Sequence, residues 1–351
     1  MIGNVLSIYI KNLKIHFNVK VNMKFAIIGC GSIGRSHIGN LLHLGQEVVA
    51  WNRNKSRRDL VEKKFKIKTY KDLDEMLEIK NLSGVFICSP NSFHLSHANK
   101  VINKNINVFI EKPLAIELKG LSVIENQVKK KGLISHVGSN MRFNFGPSTV
   151  KKYIEKGTIG RILWANFWGG MYLPFWHPDE DYRKMYSAKI NLGGGAVLDF
   201  IHEIDLIHWM FGKPTKLAAI LGQTQSLEIE TEDIADVIMK FSNGLKLNLH
   251  IDYLQRPYQR GIHILGDKGS IKWDLFSKNI IIHNYNTKKE IIKNYPKDYD
   301  HNDMYLSQMK YFLNCIRKKQ KSEADITAGK KSLELALAIK KSSIKNKFIK
   351  G

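Results

Sequence analysis

Two short stretches carry residues able to move a proton and to steady an alkoxide. Glu111-Lys112-Pro113 follows Asn107 to Ile110, which reads as a strand, so the lysine leaves the end of a strand. An ammonium at that point can hydrogen-bond a substrate hydroxyl and ease the loss of its proton. The second stretch runs from Gly193-Gly194-Gly195 through Asp199, His202, Glu203 and Asp205, and reads as a helix over 197–211. Asp199, His202 and Asp205 recur every three residues, which puts them on one side of such a helix. A histidine with carboxylates one turn away is an acid/base tunable near neutral pH. Each pattern taken alone also fits a solvated turn or a solvated helix face. The His and Asp residues do not amount to a metal site, because H-x-x-x-H spacing and thiolates are both missing, so no metal is expected.

Groups of this kind need a frame that holds them against a ligand, and the stretch 24–34 supplies one. Phe25 to Ile28 is an apolar run suited to a buried strand, and Gly29, Gly31 and Gly34 follow with the spacing G-x-G-x-x-G. The first glycine permits a tight turn, the second lets a pyrophosphate approach, and the third lets the next helix pack closely. N–H groups at that helix start, from Ser32 and Ile33 onward, would face the phosphates. An acidic residue usually ends the second strand of such a unit and holds the adenosine ribose. Asn52 stands there instead, beside Arg53, Ser56 and Arg57. Cations without a carboxylate suit a 2′-phosphate, so NADP is expected over NAD, with NAD still open. A loop on a lysine-rich surface is the plainer alternative.

From Met23 onward, strands and helices alternate as a parallel sheet requires, with helices at 34–44, 55–65, 72–78, 94–104 and 117–131. Beyond about residue 141 the pattern changes to long strands at 161–173, 216–225, 235–253, with a hairpin signal at Ser242-Asn243-Gly244, and 259–285, with a turn at 266–269, followed by a helical tail from 303. The sequence therefore divides into an extension, 1–22, an α/β Rossmann domain with a parallel sheet, 23–140, and an α+β domain, 141–351, with an open, largely antiparallel sheet. Met23 reads as the natural start, and the rival reading of 1–22 is an added edge strand.

The 351 residues suffice for two domains. With 43% hydrophobic and 25% charged residues the composition is that of a soluble globular protein. No apolar stretch could span a bilayer, so no membrane partner is expected. The net charge of +23 raises nucleic acid as a partner, but the excess is lysine scattered over helix faces and no nucleic-acid motif accompanies it. Anionic small molecules suit the same balance. Cys30, Cys88 and Cys315 are odd in number and widely spaced, which points to a reducing, cytoplasmic setting.

The order Gly29-x-Gly31-x-x-Gly34, Pro90-Asn91-x-x-His94, Glu111-Lys112-Pro113 and Gly-Gly-Gly…Asp199…His202-Glu-Ile-Asp205 resembles the glucose–fructose oxidoreductase / inositol dehydrogenase (Gfo/Idh/MocA) family from about Met23 to the last helix. The resemblance implies NAD(P)-linked hydride transfer at the carbinol or carbonyl of a sugar or nucleotide-sugar, in a homodimer or homotetramer. It implies Lys112 as the substrate-hydroxyl binder, His202 as proton acceptor and Asp199 as an orienter of substrate or histidine. Ser89, Pro90, Asn91, His94 and Glu111 would join the cofactor site, and the peptide before Pro113 is often cis. Many members space the aspartate four before the histidine, whereas here the gap is three. The segment 172–187 resembles a subgroup linked to surface-sugar biosynthesis, with His177, Asp181 and Arg183 as candidate substrate contacts. An imine or enone reductase on the same scaffold is the rival enzyme, and a non-catalytic dinucleotide-dependent sensor is the rival from another class.

Overall fold

The computed structural model describes residues 22–351, so the extension 1–22 lies, but for Asn22, outside the described residues. Six strands, β1 (Lys24–Ile28), β2 (Glu47–Trp51), β3 (Thr69–Tyr70), β4 (Leu82–Ile87), β5 (Val108–Ile110) and β6 (Ser135–Val137), form one sheet. Every pairing is parallel and the order is β3-β2-β1-β4-β5-β6. The order reverses between β1 and β4, and such a switch point opens a crevice at the carboxyl ends of the strands. The helices α1 (Ser32–His43), α2 (Lys55–Phe65), α3 (Leu73–Leu77), α4 (His94–Asn103) and α5 (Leu121–Lys130) connect the strands. Asp72 caps α3 by accepting from the N–H groups of Asp74 and Glu75.

Alternation along the strands gives the sheet two dry faces. Ala26, Ile28, Val85, Ile87, Val108 and Ile110 join one core with α3, α4 and α5. Phe25, Ile27, Phe86 and Phe109 turn the other way, onto Ile38 and Leu41 of α1. Phe86 and Phe109 stack at 4.6 Å, and Phe312 closes edge-on against both. Each such buried ring contributes about 1.5–3 kcal/mol.

After α6 (Phe145–Glu155) the chain builds a nine-stranded sheet, beginning with β7 (Ile162–Gly170). The helices α7 (Ala196–Asp199) and α8 (Ile201–Phe211) follow. Next come β8 (Lys216–Gly222), β9 (Ile234–Lys240), β10 (Lys246–Asp252), β11 (Gln259–Gly266), β12 (Gly269–Asp274), β13 (Asn279–Asn284) and β14 (Lys289–Asn294). The chain ends on α9 (Asn302–Lys318), α10 (Ile326–Ile344) and the edge strand β15 (Ile349–Lys350). The order is β14-β13-β12-β11-β7-β10-β9-β8-β15, and only β7 and β10 pair in parallel. Phe167, Val237, Leu247 and Ile262 point into the core, while Trp164, Ile220 and Ile238 lie on the other face.

Two local features depart from the sequence reading. The helix expected over 197–211 is two helices, broken at Phe200 (φ −86°, ψ 26°). The break lets Phe200 turn into a cluster with Trp176 and Tyr253. Helix α9, inside the stretch 141–351, returns to the parallel sheet. Its Met309, Phe312 and Leu313 pack in the core of β1 and α1, and its Asn302 exchanges amide hydrogen bonds with Asn40.

Candidate active site

The glycine turn shows how closely backbone must approach backbone. Gly29 has φ +106°, and a side chain there would meet the carbonyl of Cys88 at 2.5 Å. A Cβ on Gly34 would meet the Gly29 carbonyl, whereas one on Gly31 would meet nothing within 4 Å. Gly31 therefore faces open space at the start of α1, whose N-cap has no side-chain hydrogen bond. The exposed Ser32 and the half-buried Ile33 begin that helix.

At the end of β2 the backbone turns into α2. Asn52 is buried, and its side-chain oxygen accepts from the Asn54 N–H at 2.9 Å. Asn54 caps α2 by accepting from Arg57 N at 3.2 Å and from the Ser56 hydroxyl at 2.6 Å. Arg58 donates to the carbonyls of Asn52 and Arg53. Arg53 and Arg57 are exposed. Burial pushes the Cys30 thiol up to about 11, opposed by the charges of Arg35, Arg57 and Arg58, and Arg35 donates to the Cys30 carbonyl in the glycine turn at 3.0 Å.

The loops after β4 and β5 are tied together by His94. One ring nitrogen lies 2.8 Å from the Pro113 carbonyl and the other 2.8 Å from the Ser89 carbonyl. Burial lowers the pKa of this histidine, so its ring shapes the loops and has no nitrogen left for a ligand. Glu111 is likewise engaged: it pairs with His37 of α1 at 2.7 Å and accepts from the Lys112 N–H at 3.2 Å. Its carboxylate thereby ties the strand exit to α1. The Ser89 hydroxyl bonds His97 at 2.9 Å, Pro90 is exposed, and Asn91 is buried against the carbonyl of Gly193 at 3.4 Å. The loop after β4 thus touches the triple glycine of the other half.

Lys112 follows at this strand exit, and the Lys112–Pro113 peptide is cis. Its Nζ donates to the carbonyl of Asp199 at 3.1 Å, across the junction of the two sheets. His202 opens the next helix. It is half-buried and has no hydrogen-bond partner among the described residues. Burial, then the charges of Lys112, Arg260 and His301, holds its pKa well below the usual imidazole value. The imidazole is therefore neutral at pH 7, with the Lys112 ammonium near enough to act on it. A neutral imidazole next to an ammonium can accept a proton from an oxygen that the ammonium also binds.

The carboxylates expected to bracket His202 go elsewhere. Asp205 is buried in a two-pronged pair with Arg142, at 2.7 and 2.6 Å, and also accepts from Ser332 at 2.8 Å. Asp199, three residues before His202, is turned inward by the break at Phe200. One of its buried carboxylate oxygens accepts from the Tyr253 hydroxyl at 2.6 Å, and the other has no partner. Burial and the Asp199 charge push the Tyr253 and Tyr186 phenols well above their usual value. Asp181 and Arg183 form an exposed pair at 2.8 Å, which Glu228 extends at 3.3 Å, so neither offers a free charge. His177 is half-buried on the same segment, and its carbonyl accepts from the Glu180 N–H.

Several groups escaped sequence reasoning. Arg260 of β11 forms a buried ion pair with Glu203, and its guanidinium lies 5.9 Å from the Phe200 ring and 5.7 Å from the Tyr258 ring. His301 precedes α9. The charges of both residues act on His202 from elements distant in sequence, and no local pattern signals either of them.

Residues 23–139 match the family described as "Oxidoreductase family, NAD-binding Rossmann fold", and residues 148–272 match the "GFO/IDH/MocA C-terminal domain". The chain belongs to the Gfo/Idh/MocA oxidoreductase family. Myo-inositol 2-dehydrogenase of Thermotoga maritima is 26% identical over 342 residues, 93% of this chain and 98% of that protein. Glucose-6-phosphate 3-dehydrogenase of Bacillus subtilis is 24% identical over 267 residues, 71% and 74% of the two chains. A levoglucosan dehydrogenase in complex with NADH and levoglucosan superposes with a TM-score of 0.84 at 18% identity, over 94% of this chain and 99% of that one. The WlbA dehydrogenase of Bordetella pertussis, with NADH and UDP-GlcNAcA, gives 0.80 at 23%, over 94% and 98%.

The family's dinucleotide fits the residues present. The open cradle at Gly31, the uncapped helix start and the guanidinium groups around them provide a place for a diphosphate. Lys112 stands at the carboxyl end of β5, on the edge of the sheet where the switch point opens its crevice and where such a group would lie. Among the described residues no cluster of His, Cys, Asp or Glu is arranged to hold a metal ion, and no helix is long and apolar enough to cross a membrane.

Proposed function

We propose that this protein oxidises or reduces a carbinol carbon of a sugar or nucleotide-sugar, using NADP in preference to NAD. The observation that carries the reading is that Lys112, held on the carbonyl of Asp199, acts by its charge on a His202 whose imidazole is kept neutral and has no hydrogen-bond partner among the described residues. In the oxidative direction the substrate hydroxyl gives its proton to the free imidazole nitrogen of His202. Lys112 donates a hydrogen bond to the same oxygen and stabilises the charge that develops on it. When bound, the nicotinamide supplies the two-electron acceptor or donor. Asp199 works behind these groups: its carbonyl holds the Lys112 ammonium and its carboxylate holds Tyr253.

The substrate class draws support from relatives whose names specify inositol, glucose 6-phosphate and levoglucosan. Arg53 and Arg57, exposed beside an Asn52 that lacks a ribose-binding carboxylate, support NADP. Trp164, Ile220 and Ile238 on the uncovered face of the large sheet support assembly through that face as a homodimer or homotetramer. Three free, buried cysteines suit the cytoplasm. The test is turnover of a panel of polyols, sugars and nucleotide-sugars with NADP and NAD, followed by nicotinamide absorbance. Turnover of a carbinol supports the reading, and inertness toward the whole panel in both directions removes it.

A further inference from the structure

The loop joining β10 to β11 is anchored in the site at both ends. Tyr253, at its start, hydrogen-bonds Asp199, and Arg260, just beyond its end, pairs with Glu203. The tip between them carries Arg256, which is exposed and has no carboxylate partner among the described residues. Its guanidinium lies 3.5 Å from the centre of the Tyr172 ring. Tyr172 is fixed in turn, because its N–H donates to the carbonyl of Gln255 at 3.0 Å. Phe175, 59% exposed, stands edge-on to Tyr172 at 4.9 Å.

We propose that Arg256, Tyr172 and Phe175 form a subsite for the nucleoside diphosphate part of the substrate. This rests on the oxidoreductase reading above and deepens it, since it assigns a nucleotide-sugar in place of a free sugar. A guanidinium held over a ring face by a cation–π contact has no acceptor on its N–H donors there, and two of them match a phosphate. The adjacent Phe175 face offers a base a stacking surface, which every nucleobase can use. Arg183, the arginine that the sequence suggested for an anion, is already neutralised by Asp181 and Glu228. Arg256 lies on the loop that carries Tyr253 and leads to Arg260, so an anion held there is tethered to the walls around His202.

The experiment uses the full chain saturated with NADP, so that the cofactor site is closed to the probes, and titrates UDP, GDP and glucuronate by calorimetry. At least one nucleoside diphosphate should bind, and Arg256→Gln should weaken it by about tenfold or more, as expected for a lost charge-assisted pair. Phe175→Ala should weaken it by a smaller factor. Melting temperature and NADPH affinity should stay at wild-type values in both variants. Absence of nucleoside diphosphate binding overturns the proposal. So does equal binding by wild type and Arg256→Gln, or Arg256-dependent binding of glucuronate alone. An enzyme that turns over polyols without binding any nucleoside diphosphate keeps the oxidoreductase reading and loses this subsite. Arg256-dependent nucleotide binding without turnover of any carbinol does the reverse.

Discussion

Replacing Asp205 by asparagine separates a fold-holding carboxylate from a chemical one. Both partners of the Arg142–Asp205 pair are 6% exposed in their side chains, and two charge-assisted hydrogen bonds join them at 2.7 and 2.6 Å. Asp205→Asn leaves the Arg142 cation buried without a counter-charge, which costs about 3–5 kcal/mol. Burial would raise the Asp205 carboxyl, but the Arg142 charge outweighs it and the net shift is downward. A depressed carboxyl contributes stability above its unfolded value, near about 3.9, and loses that contribution as pH falls through the lower folded value. The stability gap between wild type and Asp205→Asn should therefore be full at pH 7 and should narrow below about pH 4. Urea unfolding followed by circular dichroism measures both. Turnover per folded molecule should change by less than about threefold. A stability change below about 1 kcal/mol with a hundredfold loss of turnover would refute the reasoning and return Asp205 to the chemistry.

Two further outcomes follow from other parts of the molecule. Arg53→Ala combined with Asn52→Asp should reverse the order of affinity from NADP over NAD to NAD over NADP, read by fluorescence titration; a wild type that prefers NAD contradicts the assignment. His250 lies between Asp252, at 3.0 Å, and Asp236, at 2.7 Å, and these bonds raise its pKa to about 9. A raised histidine contributes fully below its unfolded value and loses the contribution as pH climbs through the folded one. His250→Gln should therefore be less stable than wild type near neutrality and should approach it toward about pH 10 in unfolding titrations.

The parts of this protein that were legible in the sequence are those fixed by neighbours in the chain. The glycine spacing, the apolar runs of β1, β4 and β5 and the capping Asp72 each act within a few residues. So do the Glu111-Lys112-Pro113 strand exit and the triple glycine. The break at Phe200 was not legible, because a helix-compatible sequence is overridden by ring packing on Trp176 and Tyr253. Helical periodicity put Asp199 and Asp205 beside His202, whereas Tyr253 and Arg142, distant in sequence, draw both carboxylates away. Arg183 illustrates the same limit: a cation in a suggestive segment shows its worth only once its partners are known.

The central claim is that His202 takes the proton while Lys112 binds the same oxygen. The direct test is the pH dependence of kcat/KM, with NADPH affinity measured alongside, for wild type, His202→Ala and Lys112→Ala. The wild-type profile should show an acid limb below the ordinary imidazole value, because burial and the Lys112, Arg260 and His301 charges disfavour the imidazolium. Each variant should bind NADPH nearly as wild type and lose about a hundredfold or more in turnover, and His202→Ala should also lose that limb. Normal turnover in His202→Ala, or an unchanged acid limb in its profile, would contradict the account.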